Sequence, residues 1–312
     1  MSNSFKAVVY LENTTSFLNI GPDQFKPFIE KYPEIELQFC KSDEEFKAAL
    51  PFADAAIVWK FTPDLYAKAP HLKAVFTPAA GKDWVQQDPS GHVPVYFSAY
   101  HGIMMAESLL GMILYFNCGF YKTLENQRKH VWDRDAQDEL HRLKDKHVLL
   151  IGYGSIGKHC ARLLQPLGCR ISGVQRKHHD GIDPETGVRY LTFDSLSWEL
   201  GAADHAVLLL PGGSDTHHSF TRDLLKCMKK TAYLYNLGRG SVVAEDDVVW
   251  ALENKIIAGA GLDVFEQEPL PASSKLWDFT NVLILPHTSA GYMEYGERFV
   301  EELTGKFGKV IK

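Results

Sequence analysis

Short runs of β-branched and aromatic residues alternate along this chain with stretches whose apolar residues recur every three or four positions, a pattern that predicts a parallel α/β sheet. In the first part the strand-like runs are 6–11 (KAVVYL), 34–39 (EIELQF), 55–59 (AAIVW) and 72–77 (LKAVFT), with helical patterns at 25–31, 43–50 and 63–69. These make one α/β unit of about 95 residues. A longer helical pattern from 104 to 129, opening MMAESLLGMILYF, presents a wide apolar face and runs into a polar segment. A second alternation follows, with strands predicted at 147–152, 170–175, 205–211, 232–238, 259–265 and 281–286. Its helices are predicted at 155–167, 222–229, 245–254 and 292–307.

A length of 312 residues allows about two domains at roughly 150 residues each. Hydrophobic residues make up 45% and charged residues 23%, which supports real cores and excludes disorder and collagen-like repeats. The net charge is −6 and no Lys/Arg run exceeds two residues, so nucleic acid is not an expected partner. No apolar stretch approaches the roughly 20 residues needed to span a bilayer, and MSNSFKAVVYLEN lacks the apolar core of a signal peptide. A cytoplasmic protein with no membrane partner is expected. The five cysteines (Cys40, Cys118, Cys160, Cys169, Cys227) lie far apart, which points to reduced thiols rather than disulfides or zinc. The adjacent pairs His178-His179 and His217-His218 would face opposite ways in a strand, so no metal is expected either.

The run HVLLIG leads directly into G-Y-G-S-I-G (Gly152, Gly154, Gly157) and then into a helical pattern. A glycine-rich turn between a buried strand and a helix lets the backbone approach a pyrophosphate, whose charge rests on the unpaired N–H groups at the helix start. Strand, turn, helix and second strand in this order predict dinucleotide binding. An acidic residue at the end of the second strand would bind the adenosine ribose of NAD. Here that position is Gln175, followed by Arg176 and Lys177. A neutral amide beside a guanidinium accepts a 2′-phosphate where a carboxylate would repel it. NADP(H) is therefore the expected cofactor, with Arg176 as main anchor and NAD(H) the alternative.

Three further segments each end a predicted strand, at the edge where open α/β sheets bind ligands: N-L-G-R-G (236–240), L-D-V-F-E-Q-E-P (262–269) and L-P-H-T-S-A-G (285–291). With the glycine-rich turn upstream, the chain resembles the D-isomer-specific 2-hydroxyacid dehydrogenase family over nearly its whole length. The family's N-x-x-R-G, D-V-F-x-x-E-P and P-H segments match in order and approximate spacing. The resemblance implies that Arg239 holds the substrate, that His287 donates or accepts the proton, and that Glu268 is its carboxylate partner. It also implies that Asp263 touches the carboxamide side of the nicotinamide, and that Ser155, Ile156, Pro211, Leu237 and Gly238 line the cofactor.

The chemistry of such a reaction agrees with those roles. Reducing a 2-oxo acid needs a hydride at C2, a proton for the nascent alkoxide and a cation for the carboxylate and carbonyl oxygens. Arg239 carries a permanently charged planar fork. A free histidine with a pKa of about 6.5 is roughly a quarter protonated at pH 7, and a carboxylate that raises the pKa by about one unit makes that roughly three quarters.

In the first unit the resemblance places a loop for the substrate carboxylate after the fourth strand, where Ala80 and Gly81 could offer backbone N–H groups. Where the family often has Ser-Val, this chain has Met104-Met105, and Met105 is a candidate substrate contact. Trp59, followed by Lys60, points to the glyoxylate/hydroxypyruvate reductase branch. The expected activity is hydride transfer from NADPH to a small anionic 2-oxo acid, with a reductase of bulkier 2-oxo acids or a non-catalytic NAD(P) sensor as alternatives. Trp132 resembles a position that reaches a partner subunit's site in related reductases, and the resemblance implies a homodimer. The expected fold is two Rossmann-like parallel-sheet domains, with a dinucleotide-binding domain (99–286) inserted in a smaller substrate-binding lid domain (1–98 and 287–312).

Overall fold

Every strand pairing within the two sheets of this protein is parallel, as the alternation of apolar runs and helical patterns requires. The computed structural model describes residues 4–134, 140–176 and 181–311. Lys177, His178 and His179 lie outside the described residues. The chain separates into one unit of Met1–His101 with Gly291–Lys312 and another of Gly102–Ala290. These bounds lie three and four residues beyond the expected cuts after 98 and 286. His287, Thr288 and Ser289 stay with the larger unit because their N–H groups donate to Asp263 at the end of one of its strands.

The smaller unit orders its strands β2-β1-β3-β4-β5: β1 (Lys6–Tyr10), β2 (Glu36–Phe39), β3 (Ala55–Val58), β4 (Ala74–Thr77) and β5 (Val95–Phe97). All residues of β3 and β4 are buried, which fits near-continuous apolar runs covered on both faces. Three short helices connect them, α1 (Lys26–Lys31), α2 (Asp43–Ala49) and α3 (Pro63–Tyr66). Ser42 starts α2 by accepting the N–H of Glu45, whose carboxylate reaches back to the N–H of Lys41. The C-terminal helix (Tyr295–Phe307) completes this unit, its Phe307 ring meeting Phe5, Phe28 and Phe76 at 5.6, 4.8 and 5.2 Å.

The larger unit opens on α4 (His101–Asn117) and α5 (Phe120–Arg128). The single helix expected over 104–129 breaks at Gly119, which takes a left-handed φ of 63° and bends the two by 65°. Seven strands follow, β6 (His147–Ile151), β7 (Arg170–Val174), β8 (Arg189–Leu191), β9 (His205–Leu208), β10 (Tyr233–Asn236), β11 (Gly259–Leu262) and β12 (Val282–Ile284). Between them run α6 (Ser155–Leu164), α7 (Leu196–Ala202), α8 (Arg222–Cys227) and α9 (Glu245–Glu253). The order β12-β11-β10-β9-β6-β7-β8 reverses between β6 and β9, the place where doubly wound sheets bind ligands at their C-terminal edge. Leu149 and Ile151 of β6 pack into the core with Leu208 and Leu234, while Val148 and Leu150 face Leu109, Met112 and Phe116 of α4. Each such buried side chain contributes about 1.5–3 kcal/mol. The apolar face of α4 is therefore spent on the sheet. Among the described residues no single helix is long and apolar enough to cross a membrane.

Candidate active site

The turn after β6 is built to bring backbone close to a ligand. Gly152 has φ 97° and lies against the backbone of Leu209 and Leu210, where a Cβ would sit 2.8 Å from a carbonyl carbon. Only glycine fits both conditions. The first bond of α6 runs from the N–H of Lys158 to the carbonyl of Gly154, so the N–H groups of Ser155, Ile156 and Gly157 have no helical acceptor. A Cβ on Gly154 would project into open space. These residues fit a pyrophosphate, with the helix start favouring its charge. Tyr153 is buried beneath the turn and donates to Asp183, with Gly173 leaving room for its ring.

Gln175 follows β7, its Nε2 buried and without a hydrogen-bond partner among the described residues. Arg176 is exposed and pairs with Asp215 at 3.0 Å. Across the switch point, exposed Pro211 accepts the Thr216 hydroxyl through its carbonyl, 2.6 Å away. The loop 211–216 thus meets Arg176, two residues past β7, through Asp215.

Three loops of the larger unit bring Arg239, Glu268 and His287 together. Asn236, the last residue of β10, closes the N-L-G-R turn: its Nδ2 donates to the Arg239 carbonyl and its Oδ1 accepts the Gly238 N–H. Leu237 is buried in the core, so its side chain does not line a cofactor and only its backbone is available there. Gly238 presses on the backbone of Leu210. Arg239 is half-buried, and its Nη1 donates to the Gly238 carbonyl at 2.8 Å.

Glu268 lies after β11, with Oε1 accepting the N–H of Phe265 at 3.0 Å and Oε2 2.8 Å from His287 Nδ1. Both side chains keep over a third of their surface exposed, 36% and 39%. The hydrogen bond from Glu268 raises the His287 pKa, and the Glu268 and Asp263 charges add to it against the opposing burial and Arg239. Burial pushes Glu268 up, but its bonds to His287 and Phe265 and the Arg239 charge outweigh that and hold it below the ordinary carboxylate range. An ionised carboxylate only accepts, so Nδ1 carries the hydrogen and Nε2 is the atom left for chemistry.

Asp263 is bonded to the loop after β12. It is 1% exposed, its Oδ1 accepts the N–H groups of Thr288 and Ser289 at 2.7 and 3.0 Å, and its Oδ2 accepts the Ser289 hydroxyl. Its backbone carbonyl also accepts the N–H of His287 at 2.8 Å. Asp263 therefore fixes the loop that carries the imidazole, and burial raises its own pKa.

Met105 and Trp59, candidates for touching the substrate, are both largely buried. Met105 is 8% exposed and fills the core beside Leu109 and Met112. Trp59 is also 8% exposed, donates its indole N–H to the Leu11 carbonyl and stacks on Tyr295. Within the smaller unit, half-buried Trp84 lies beside it with Lys60 Nζ 5.6 Å from its ring, a placement the sequence pattern did not signal. Ala80 is exposed and Gly81 half-buried, on a loop pinned at its base by Thr77 and Ser98. Trp132 is 87% exposed.

Residues 110–289 match the model for the D-isomer specific 2-hydroxyacid dehydrogenase NAD binding domain. A glyoxylate reductase of Thermofilum pendens is 32% identical over 261 residues, 81% of this chain and 76% of that protein. Among solved structures, a D-isomer specific 2-hydroxyacid dehydrogenase from Xanthobacter autotrophicus in complex with NADPH superposes with a TM-score of 0.84 at 25% identity, covering 98% of this chain and 94% of that one. An NADPH-dependent glyoxylate/hydroxypyruvate reductase from Sinorhizobium meliloti, in complex with NADP and sulfate, gives 0.80 at 28% identity, covering 98% and 95%. The doubly wound fold and its nucleotide turn define an NAD(P)-dependent oxidoreductase. Within that class, the chain belongs to the D-isomer-specific 2-hydroxyacid dehydrogenase family.

Proposed function

We propose that the protein reduces a small 2-oxo acid of the glyoxylate or hydroxypyruvate type with NADPH, and that His287 is the general acid. The observation that carries this reading is the Glu268–His287 pair, which leaves Nε2 of a proton-retaining imidazole beside a guanidinium. A bound reduced nicotinamide supplies the hydride. Arg239 holds the carboxylate and polarises the carbonyl oxygen, while Nε2 of protonated His287 gives its proton to the nascent alkoxide. Glu268 keeps that proton on the ring at neutral pH and fixes its plane. Gly152, Gly154, Ser155, Ile156 and Gly157 would hold the pyrophosphate, and in the smaller unit Ala80 and Gly81 would offer backbone N–H groups to a carboxylate.

Support for NADPH comes from Gln175 and Arg176 in place of a carboxylate, and from the bound cofactors of the two solved relatives. Arg176 would exchange Asp215 for the 2′-phosphate. Support for a homodimer comes from Phe120, Leu124, Val131 and Trp132, all at least 42% exposed along α5 and the segment after it. A steady-state screen of glyoxylate, hydroxypyruvate, pyruvate and phenylpyruvate, each with NADPH and NADH, tests substrate and cofactor together. Turnover of the small acids with NADPH is expected, falling at least a hundredfold in His287→Gln with cofactor affinity retained. Undiminished turnover in that variant overturns the acid assignment, and a clear NADH preference overturns the cofactor one.

A further inference from the structure

Beside the proposed catalytic pair the larger unit holds a second imidazole–carboxylate pair. His218 Nε2 lies 2.6 Å from Glu266 Oε1, although the two are 48 positions apart in sequence. Glu266 does more than pair. Its Oε2 accepts the N–H of Glu245 at the start of α9, and its own N–H donates to Glu245 Oε1, each at 2.8 Å. His218 is anchored in turn, its N–H donating to the Ser241 carbonyl at 2.8 Å. One carboxylate therefore ties together the loops that follow β9, β10 and β11. Arg239 lies within the second of these, and Glu268 lies within the third, two residues past Glu266. There is no slack between them, since a Cβ on Gly240 would fall 2.5 Å from the Glu266 nitrogen.

We propose that Glu266, held by His218, is a positioning residue for the reaction: it sets where the Glu268 carboxylate stands against His287 and Arg239. This rests on the reading of His287 as the acid. Glu268 makes its bond to His287 from a loop whose own footing is the Phe265 N–H, one residue before Glu266. If the clamp is released, that loop gains freedom and Glu268 loses its fixed distance to Nδ1. The groups facing His287 are Glu268, Asp263 and Arg239, and those facing Glu266 are Glu245, His218 and His217. Burial alone would push Glu266 up, but the bonds from Glu245 and His218 and the two imidazoles outweigh it and hold Glu266 below the ordinary carboxylate range, so it serves as an ionised acceptor.

The test compares Glu266→Ala, His218→Ala and His218→Gln in the full-length protein, the glutamine keeping a donor near the place of Nε2. Each is assayed for reduction of glyoxylate against pH, with His287→Gln as reference. The alanine variants are expected to lose about tenfold in kcat with KM for NADPH within about twofold, and the basic limb of the pH profile should move to lower pH. His218→Gln should restore most of both. The His287 ring resonance, assigned by its absence in His287→Gln, should titrate at lower pH in the alanine variants whether or not they turn over. Should Glu266→Ala fail to fold, the two His218 variants carry the test. An unmoved pH profile and ring titration overturn the positioning role while leaving the acid assignment intact. Full turnover in His287→Gln overturns the acid assignment itself, and the ring titration still reads the clamp.

Discussion

His287 occupies a left-handed backbone conformation, φ 56°, that costs a residue with a side chain about 1–2 kcal/mol. The cost is offset by what surrounds it: its N–H reaches the Asp263 carbonyl, and the next two N–H groups reach the Asp263 carboxylate. The imidazole is thus aimed by backbone, and its proton affinity is set separately by Glu268. Replacing Glu268 with Gln separates the two effects. The raised pKa of His287 depends first on that hydrogen bond, so it falls in the variant. With His287 as the proposed acid, reduction fails as pH rises through this pKa, so the basic limb of kcat/KM should shift to lower pH. The reverse oxidation requires the neutral ring, and its acidic limb shifts the same way. A profile unchanged in both directions would remove Glu268 from the acid's environment.

At the scale of elements, the long apolar runs were legible because a strand buried on both faces has few other sequences available to it. The ends and the short pieces were not. β5 and β8 span three residues each, too few for a period to show, and α7 covers two turns. The break between α4 and α5 turns on Gly119, whose left-handed φ is invisible among residues that favour helix on both sides. At the site, Arg239, Glu268 and His287 were legible from three local segments, whereas the Glu266–His218 contact was not, since no local pattern reports a pairing across 48 positions. The burial of Asp263, Met105 and Trp59 was not legible for one reason: residue type does not reveal it. The loops of the site meet at Gly240, where a Cβ would fall 1.9 Å from the Phe265 carbonyl carbon. Gly240→Ala must therefore push the 265–268 segment away. It should lower Tm by several degrees and kcat by at least tenfold, and a variant with wild-type Tm and kcat would show the contact to be soft.

At the scale of the molecule, a net charge of −6 means that the anionic substrate and cofactor proposed above would have to be attracted locally, by Arg239, Arg176 and the start of α6, and not by the protein as a whole. If the exposed apolar residues from Phe120 to Trp132 form a dimer contact, light scattering should give twice the chain mass, and Leu124→Glu with Trp132→Glu should return it to one. A single-chain mass for the unmodified protein would exclude the dimer. The two units also differ in how the chain supplies them. The larger is one continuous stretch, while the smaller takes its first 101 residues from the beginning and the rest from the very end. During synthesis, then, the nucleotide-binding unit can complete its sheet while Phe28 and Phe76 of the smaller unit still lack Phe307. The smaller unit is thus among the last parts to be enclosed, and a chain interrupted between residues 290 and 295 would carry the whole of the larger unit together with an open aromatic core in the smaller one.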